Sequence, residues 1–168
     1  MKVIKTALCL VIFVSILFLF QKVTSDFSFF PKVFVGVVVL LFLFNLAVRR
    51  TLLFEPYFKS SFNIFTCKHC QEQIVDVSTG LMFEKLEEVL RDSEFKLVDL
   101  NSETMELLVV SKFSMSSWGE NIYVSLKEDN DKTIVSFCSV TLFQVCSWGK
   151  NENNIAKLMA RLEKSFII

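Results

Sequence analysis

The sequence predicts an α+β protein: an N-terminal two-helix transmembrane hairpin, then a small two-layer domain of order α-β-β-β-β-α with an antiparallel four-stranded sheet. Two long apolar runs without a charge, Leu8–Phe20 and Val33–Val48, open the chain of 168 residues. Towards the C-terminus the apolar residues recur instead at helical or strand spacing. We therefore divide the chain into a hairpin at 1–50, an aromatic connector at 51–75 and a soluble domain at 76–168.

Each apolar run reaches, with its flanks, the length of about 20 residues that a helix needs to cross a bilayer core. We expect spans at about 3–20 and 29–48. Pro31 then falls in the first turn of the second span, where its missing N–H costs nothing. A hairpin satisfies the backbone hydrogen bonds of both runs internally. The alternative for the first run is a cleaved signal peptide.

Charges at the ends of the two runs predict their orientation. Lys2 and Lys5 precede the first run, and Arg49 and Arg50 follow the second. Because basic residues accumulate on the cytoplasmic side, we expect both termini and the soluble domain in the cytoplasm. Asn45 is a polar residue inside the second span, and we expect it to bond to the other helix or to a second copy.

Overall composition limits the partners. Eighteen basic and eighteen acidic residues cancel, so the sequence does not predict the cationic surface that nucleic acids require. The expected partners are the lipid bilayer and either another protein or a second copy of the chain. The connector mixes Phe and Leu with Lys and Arg. It either lies along the bilayer surface or covers the core of the domain.

One short motif has the composition of a metal or redox site. Cys67 and Cys70 flank His69 in a Cys-x-x-Cys pattern. A structural zinc site needs four ligands, and this motif offers three at most. Zinc binding, a redox disulfide and the absence of any chemistry therefore all stay open. We expect the other cysteines, including Cys138 and Cys146, to be reduced and buried.

The soluble domain shows one helical pattern, four strand patterns and a second helical pattern. Short links between the strands favour an antiparallel meander, and each helix has one apolar face, so both helices are expected on one side of the sheet. The predicted elements are a helix at Ser78–Arg91, strands at Phe95–Leu100, Met105–Phe113, Ile122–Lys127 and Ile134–Thr141, and a final helix whose apolar positions run from Ile155 to Phe166.

A five-residue segment recurs thirty residues later. Ser117–Asn121 reads Ser-Trp-Gly-Glu-Asn, and Ser147–Asn151 reads Ser-Trp-Gly-Lys-Asn. In one interpretation both are turns in which Gly adopts backbone angles closed to other residues and Trp joins the core. In the other, both segments form one edge that binds an apolar ligand or a partner. That edge would use Trp118, Trp148, Asn121 and Asn151.

The C-terminal part of the chain resembles an uncharacterised family of small bacterial envelope proteins. The resemblance rests on Ser139-Val140-Thr141, on Gly149-Lys150-Asn151 and on Ile155, which match the family's Ser-x-Ser strand, its Gly-x-Asn turn and the start of its last helix. The family's Arg and Asp positions fall on Leu142 and Ser147 here. The resemblance implies a shared strand, turn and helix, and no established activity.

These observations predict a non-enzymatic, membrane-anchored protein whose cytoplasmic α+β domain binds a partner or a lipid-like ligand. The chain has one histidine and no Ser-His-Asp set, so no catalytic residue is predicted. The alternative is a thiol- or metal-dependent protein that acts through Cys67 and Cys70. A transport component is a third class, but the spans carry too few polar groups to line a pore.

Overall fold

A computed structural model describes residues 29–61, 63, 66–112, 117, 119–130, 132–142, 144 and 146–166. The chain divides into two compact units, Met1–Leu46 and Ala47–Ile168. The first predicted span, at about 3–20, lies outside the described residues.

The first described element is a long apolar helix, α1 (Phe29–Val48). Its segment Pro31–Val48 has a mean hydropathy of 2.3, and it is the one helix within the described residues that is long and apolar enough to cross a bilayer. Large side chains such as Phe34 and Leu40 are exposed along it, as a lipid-facing helix requires. The predicted two-helix hairpin is therefore reduced to one candidate membrane helix.

The side chain of Asn45 forms a hydrogen bond within α1. Its amide nitrogen donates to the carbonyl oxygen of Leu41, one turn earlier, at 2.8 Å. This back-bonding to residue i−4 is a common solution for a short polar side chain in a helix. The bond that we expected to another helix or to a second copy is thus not needed to satisfy this amide nitrogen.

The second unit contains an antiparallel sheet of five strands, whereas the sequence predicted four. The strand order is β1-β5-β4-β3-β2, so β1 and β2 form the two edges. The four predicted strands are present with shifted ends. The bounds are β1 (Thr66–Val75), β2 (Lys96–Asn101), β3 (Glu106–Val110), β4 (Glu120–Asp129) and β5 (Lys132–Leu142).

The additional strand, β1, falls in the segment that we interpreted as a membrane-proximal connector. It pairs with β5 over ten residues, from Thr66 opposite Leu142 to Val75 opposite Thr133. Most of its side chains are polar, and the strand remains partly exposed along its length. An edge strand needs no apolar face, and charged side chains on it hinder pairing with other chains. The apolar alternation that predicts a strand is consequently absent.

Two helices pack on one face of the sheet, as predicted. They are α3 (Thr79–Arg91) and α4 (Lys150–Phe166). Their apolar stripes meet inward-facing residues of β3, β4 and β5 in one core. This core includes Met82, Leu86, Leu90, Leu107, Val109, Ile122, Val124, Val135, Phe137, Ile155, Leu158 and Leu162.

The opposite face of the sheet is covered by the segment that follows α1. This segment forms a 3-10 turn (Leu52–Phe54) and a short helix, α2 (Glu55–Lys59). Phe58 is fully buried against Tyr123 and neighbouring side chains of β5. Leu53, in contrast, is 79% exposed. Part of the connector therefore covers a second core, which is one of the two roles considered for it, while Leu53 stays accessible.

Candidate functional site

Four of the residues that the sequence singled out, Cys67, Asn121, Trp148 and Asn151, lie at one end of the sheet, which we call the anchor end. Here β3 ends at Val110, β4 begins at Glu120, β5 ends at Leu142 and α4 begins at Lys150. Arg49, the first residue after α1, lies at the same end: it sits against Gly119, and its carbonyl is bound by a side chain of β4. The opposite end, which we call the far end, holds the turns after β1, between β2 and β3, and between β4 and β5.

A buried glutamate organises the anchor end. Glu120 is fully buried. Its carboxylate accepts hydrogen bonds from the hydroxyl groups of Ser111 and Ser117 and from the side-chain amide of Asn154 at 3.1 Å. A buried carboxylate is tolerated only when its oxygens are paired in this way. The network fastens the end of β3, the following loop and the first turns of α4 to β4.

Arg49 contributes a positive charge beside this network. Burial lowers the pKa of its guanidinium, with a smaller lowering from Arg50, while Glu120 and Tyr123 act in the opposite direction. A terminal nitrogen of Arg49 and the carbonyl oxygen of Ser111 would each lie 3.1 Å from a Cβ added to Gly119, which has a φ of +87°. Glycine is therefore required here both for its backbone angle and for space.

The two repeated segments use their asparagines in the same way. The side-chain amide of Asn121 donates to the carbonyl of Arg49 at 2.5 Å, and that of Asn151 donates to the carbonyl of Cys67 at 2.9 Å. Each asparagine is fully buried. One therefore holds the chain where it leaves α1, and the other holds the start of the edge strand β1. The amide nitrogens of both side chains therefore bind internal partners, while the amide oxygen of Asn121 is buried without a hydrogen-bond partner among the described residues.

The tryptophan of the second segment is exposed. Trp148 is 80% accessible and has a φ of +50°, next to Gly149 with a φ of +75°. Two successive residues in the left-handed region make a tight turn between β5 and α4 and direct this side chain outward. Trp118 lies outside the described residues. The proposed edge formed by both tryptophans and both asparagines stays a prediction.

The Cys-x-x-Cys motif lies on β1, where side chains alternate between the two faces. Cys67 and His69 point to the face covered by α4, and His69 lies 4.0 Å from Glu152. Cys70 points to the other face, because its spacing from Cys67 is odd. Two thiols on opposite faces of a strand do not converge on one ion, and the metal site at Cys67, His69 and Cys70 stays a prediction. The described residues contain no group of three or more side chains suited to a metal.

Cys70 instead forms a disulfide with Cys138, directly opposite it on β5. The expectation that Cys138 is a reduced, buried thiol is therefore wrong. The expected free thiol at Cys146 is present but exposed, and Cys67 is also free. This pairing was not predicted from the sequence, because the strand that carries Cys70 was itself not predicted.

A second buried carboxylate lies on the face covered by α2. Burial raises the pKa of Glu55, and the neighbouring carboxylate of Glu106 raises it further, whereas its hydrogen bond with Lys59 lowers it. The Lys59 ammonium lies 2.9 Å from Glu55. Burial also raises the pKa of Tyr123, which Glu55 reinforces. Tyr123 connects these groups to the anchor end, because its hydroxyl oxygen accepts a hydrogen bond from the side-chain amide of Asn121.

No protein-family model matches this chain, and no curated protein matches it either. The strand, turn and helix on which the sequence resemblance rested are present as β5, the turn around Gly149 and α4. Conclusions about function therefore rest on the geometry of the chain itself.

Proposed function

We propose that this protein is a membrane-anchored binding domain whose anchor end rests on the bilayer surface. The observation that carries the proposal is the exposure of Trp148 at the end of the sheet where the chain leaves its apolar helix. Tryptophan is enriched at the boundary between lipid and water because its ring is apolar and its N–H is polar. At 80% exposure, this side chain forgoes in water the hydrophobic stabilisation that contact with lipid would give it.

Charge along the strands supports this orientation. We compare the last two residues of each strand and the adjoining turns, and at the anchor end we also include Arg49 and Arg50 after α1 and Lys150 at the start of α4, counting described residues only. The far end has five acidic residues against one basic residue, whereas the anchor end has five basic residues against three acidic ones, of which Glu120 is buried. The far-end residues are Asp76, Glu103, Glu106, Glu128, Asp129 and Lys132; those of the anchor end are Arg49, Arg50, Lys96, Lys112, Lys150, Asp92, Glu94 and Glu120.

This polarity matters because phospholipid surfaces are commonly negative. Basic residues near an anionic leaflet each contribute about 1 kcal/mol to its attraction, within about a Debye length. A domain whose anchor end is basic and whose far end is acidic is oriented by such a surface. The far end is then presented to water and to other proteins.

The disulfide is relevant to the question of which side of the membrane the domain occupies. Disulfides persist in oxidising compartments and are rare in the cytoplasm. Arg49 is also partly buried in the fold beside Glu120, so it counts less as a topology signal than a free flanking arginine would. Both points favour an oxidising compartment for the domain over the cytoplasmic side that charge alone suggested.

The alternative function, thiol or metal chemistry through Cys67 and Cys70, has less support. Zinc would need both thiols on one side of β1, and a dithiol redox couple would need them close together. The alternation of the strand opposes both arrangements.

Quenching of Trp148 in lipid nanodiscs tests the proposal. The chain has two tryptophans, so Trp118→Phe leaves Trp148 as the single emitter. Phosphatidylcholine lipids brominated on their acyl chains should quench it strongly. The control carries Trp118→Phe, Trp148→Phe and Ile74→Trp, since Ile74 is 65% exposed at the far end. Strong quenching in the control, or none at Trp148, would contradict the proposed orientation.

A further inference from the structure

The anchor end contains a cleft whose lining carries more positive than negative charges. It encloses about 120 Å³ between the loop before β2, the end of β3 and the first turns of α4. Three lysines line it, Lys112, Lys150 and Lys157, together with the carboxylate of Glu94. Its volume is about four times that of a water molecule, which is enough for a phosphate group.

The one carboxylate is already engaged. Glu94 pairs with Lys157 at 2.7 Å, and its pKa is lowered by that hydrogen bond first, with further lowering from Lys157, Arg161 and Lys112. Within the described part of the chain, the ammonium groups of Lys112 and Lys150 have no hydrogen-bonded or salt-bridged partner. Lys150 and Lys112 therefore place two positive charges at the rim of the cleft, of which that of Lys112 interacts electrostatically with Glu94 without pairing with it.

The floor of the cleft is rigid and polar. Ser111 and Asn154 line it, both are buried, and both are fixed by the carboxylate of Glu120. This network sets the separation of Lys112, just after β3, from Lys150, at the start of α4. The cationic rim is thus preorganised, so an anion that binds there does not first have to order the backbone.

Resting on the proposed function, we infer that this cleft binds the phosphate of an anionic phospholipid headgroup. The cleft opens at the end of the sheet where Arg49 and Arg50 follow the apolar helix, which is where headgroups lie if that helix spans the bilayer. Lysine binds phosphate as a compact positive charge. A diacyl lipid in the adjoining leaflet supplies this charge at high local concentration, so the occupant is a lipid and not a soluble phosphate.

Native mass spectrometry of the full chain, released from nanodiscs of equal phosphatidylcholine and phosphatidylglycerol, tests this inference. The wild type should retain phosphatidylglycerol preferentially. Lys112→Gln/Lys150→Gln should reduce that preference by about thirtyfold. The matched control Lys127→Gln/Lys132→Gln, at the far end, should keep it. Circular dichroism checks that each variant is folded.

Three results would overturn the inference: no preference in the wild type, an unchanged preference in Lys112→Gln/Lys150→Gln, or an equal loss in the far-end control. Inorganic phosphate added to the same discs should leave lipid retention unchanged, and displacement of the lipid by phosphate would assign the cleft to a soluble anion instead. The quenching of Trp148 in pure phosphatidylcholine discs does not depend on the cleft. If it persists while lipid preference is absent, this inference fails and the proposed function stands.

Discussion

The side-chain amide of Asn121 donates to the carbonyl oxygen of Arg49 at 2.5 Å and to the hydroxyl oxygen of Tyr123 at 3.0 Å. This pair of bonds joins the first residue after the apolar helix to the second residue of β4. The chain is therefore tied to the sheet within one residue of the end of α1.

Replacing Asn121 by Ala should release this junction. The change leaves the partly buried carbonyl of Arg49 without this partner, and the loss of such a hydrogen bond costs about 1 kcal/mol. Chemical unfolding of the full chain in detergent, followed by circular dichroism, measures the difference. Asn153→Ala is the matched control, because Asn153 is exposed on α4, and it should change the unfolding free energy little. Equal effects in the two variants would argue against the fastening role of Asn121.

The two glycines of the repeated segments offer a second matched pair. Both have positive φ, so alanine at either position should cost about 1–2 kcal/mol from backbone strain. Gly119→Ala should cost more than Gly149→Ala, since an added Cβ meets the Ser111 carbonyl and the Arg49 guanidinium at 3.1 Å, whereas nothing lies within 4 Å at Gly149. Thermal unfolding of both variants measures the order, and a larger loss for Gly149→Ala would contradict this packing.

The disulfide predicts a redox-dependent stability. Cys70 and Cys138 are separated by 68 positions, and closing a loop of that length stabilises the folded state by about 4 kcal/mol in the chain-entropy estimate. Adding reductant, or introducing Cys70→Ser/Cys138→Ser, should therefore lower the free energy of unfolding. Cys67→Ser/Cys146→Ser should leave the reductant effect intact.

Intact mass after alkylation, measured on protein isolated from its native membrane without reductant, reports the state of these thiols directly. Two alkylated cysteines fewer than after reduction would place the domain in an oxidising compartment. Alkylation of every cysteine before reduction would instead indicate that the domain lies on the cytoplasmic side.

Glu55 predicts a pH dependence with a definite sign. Its pKa in the folded state is raised above the ordinary carboxyl value of 4.5, chiefly by burial, with Glu106 adding to and Lys59 opposing the shift. The folded state therefore holds the proton more tightly than the unfolded state, and this stability is fully present only below that ordinary value. It is lost as the pH rises through the raised pKa.

Glu55→Gln should accordingly gain stability relative to the wild type as the pH rises from acid to neutral. Unfolding free energies of both proteins across this range measure the effect. Parallel pH curves for the two proteins would show that ionisation of Glu55 does not oppose folding.

Much of the domain was predictable because local pattern and burial agree. The alternation at Ile122, Val124 and Leu126 places these side chains in the main core, and the spacing of Ile155, Leu158 and Leu162 does the same for α4. In contrast, β1 was hidden because its position at an edge removes the need for apolar side chains. Paired residues of β1 and β5 are separated by 58 positions (Val75 and Thr133) to 76 positions (Thr66 and Leu142), and no local pattern encodes that pairing.

The candidate site was predictable only in outline. The repeated Ser-Trp-Gly segments drew attention to Asn121, Asn151 and Trp148, but the roles of the asparagines depend on which carbonyls the fold brings near them. Glu120 stands inside the repeat and yet was not singled out, because its partners Ser111 and Asn154 come from other elements. The lysines of the cleft also come from separate elements, and only the tertiary structure brings them together.

Alkaline carbonate extraction combined with limited proteolysis tests the central claim most directly. The account predicts that the full chain stays with the membrane pellet after extraction. Cleavage between α1 and the sheet, with the disulfide intact, should then release a water-soluble fragment rich in β structure and leave the apolar helix in the pellet. Recovery of the intact chain in the alkaline supernatant would contradict the account.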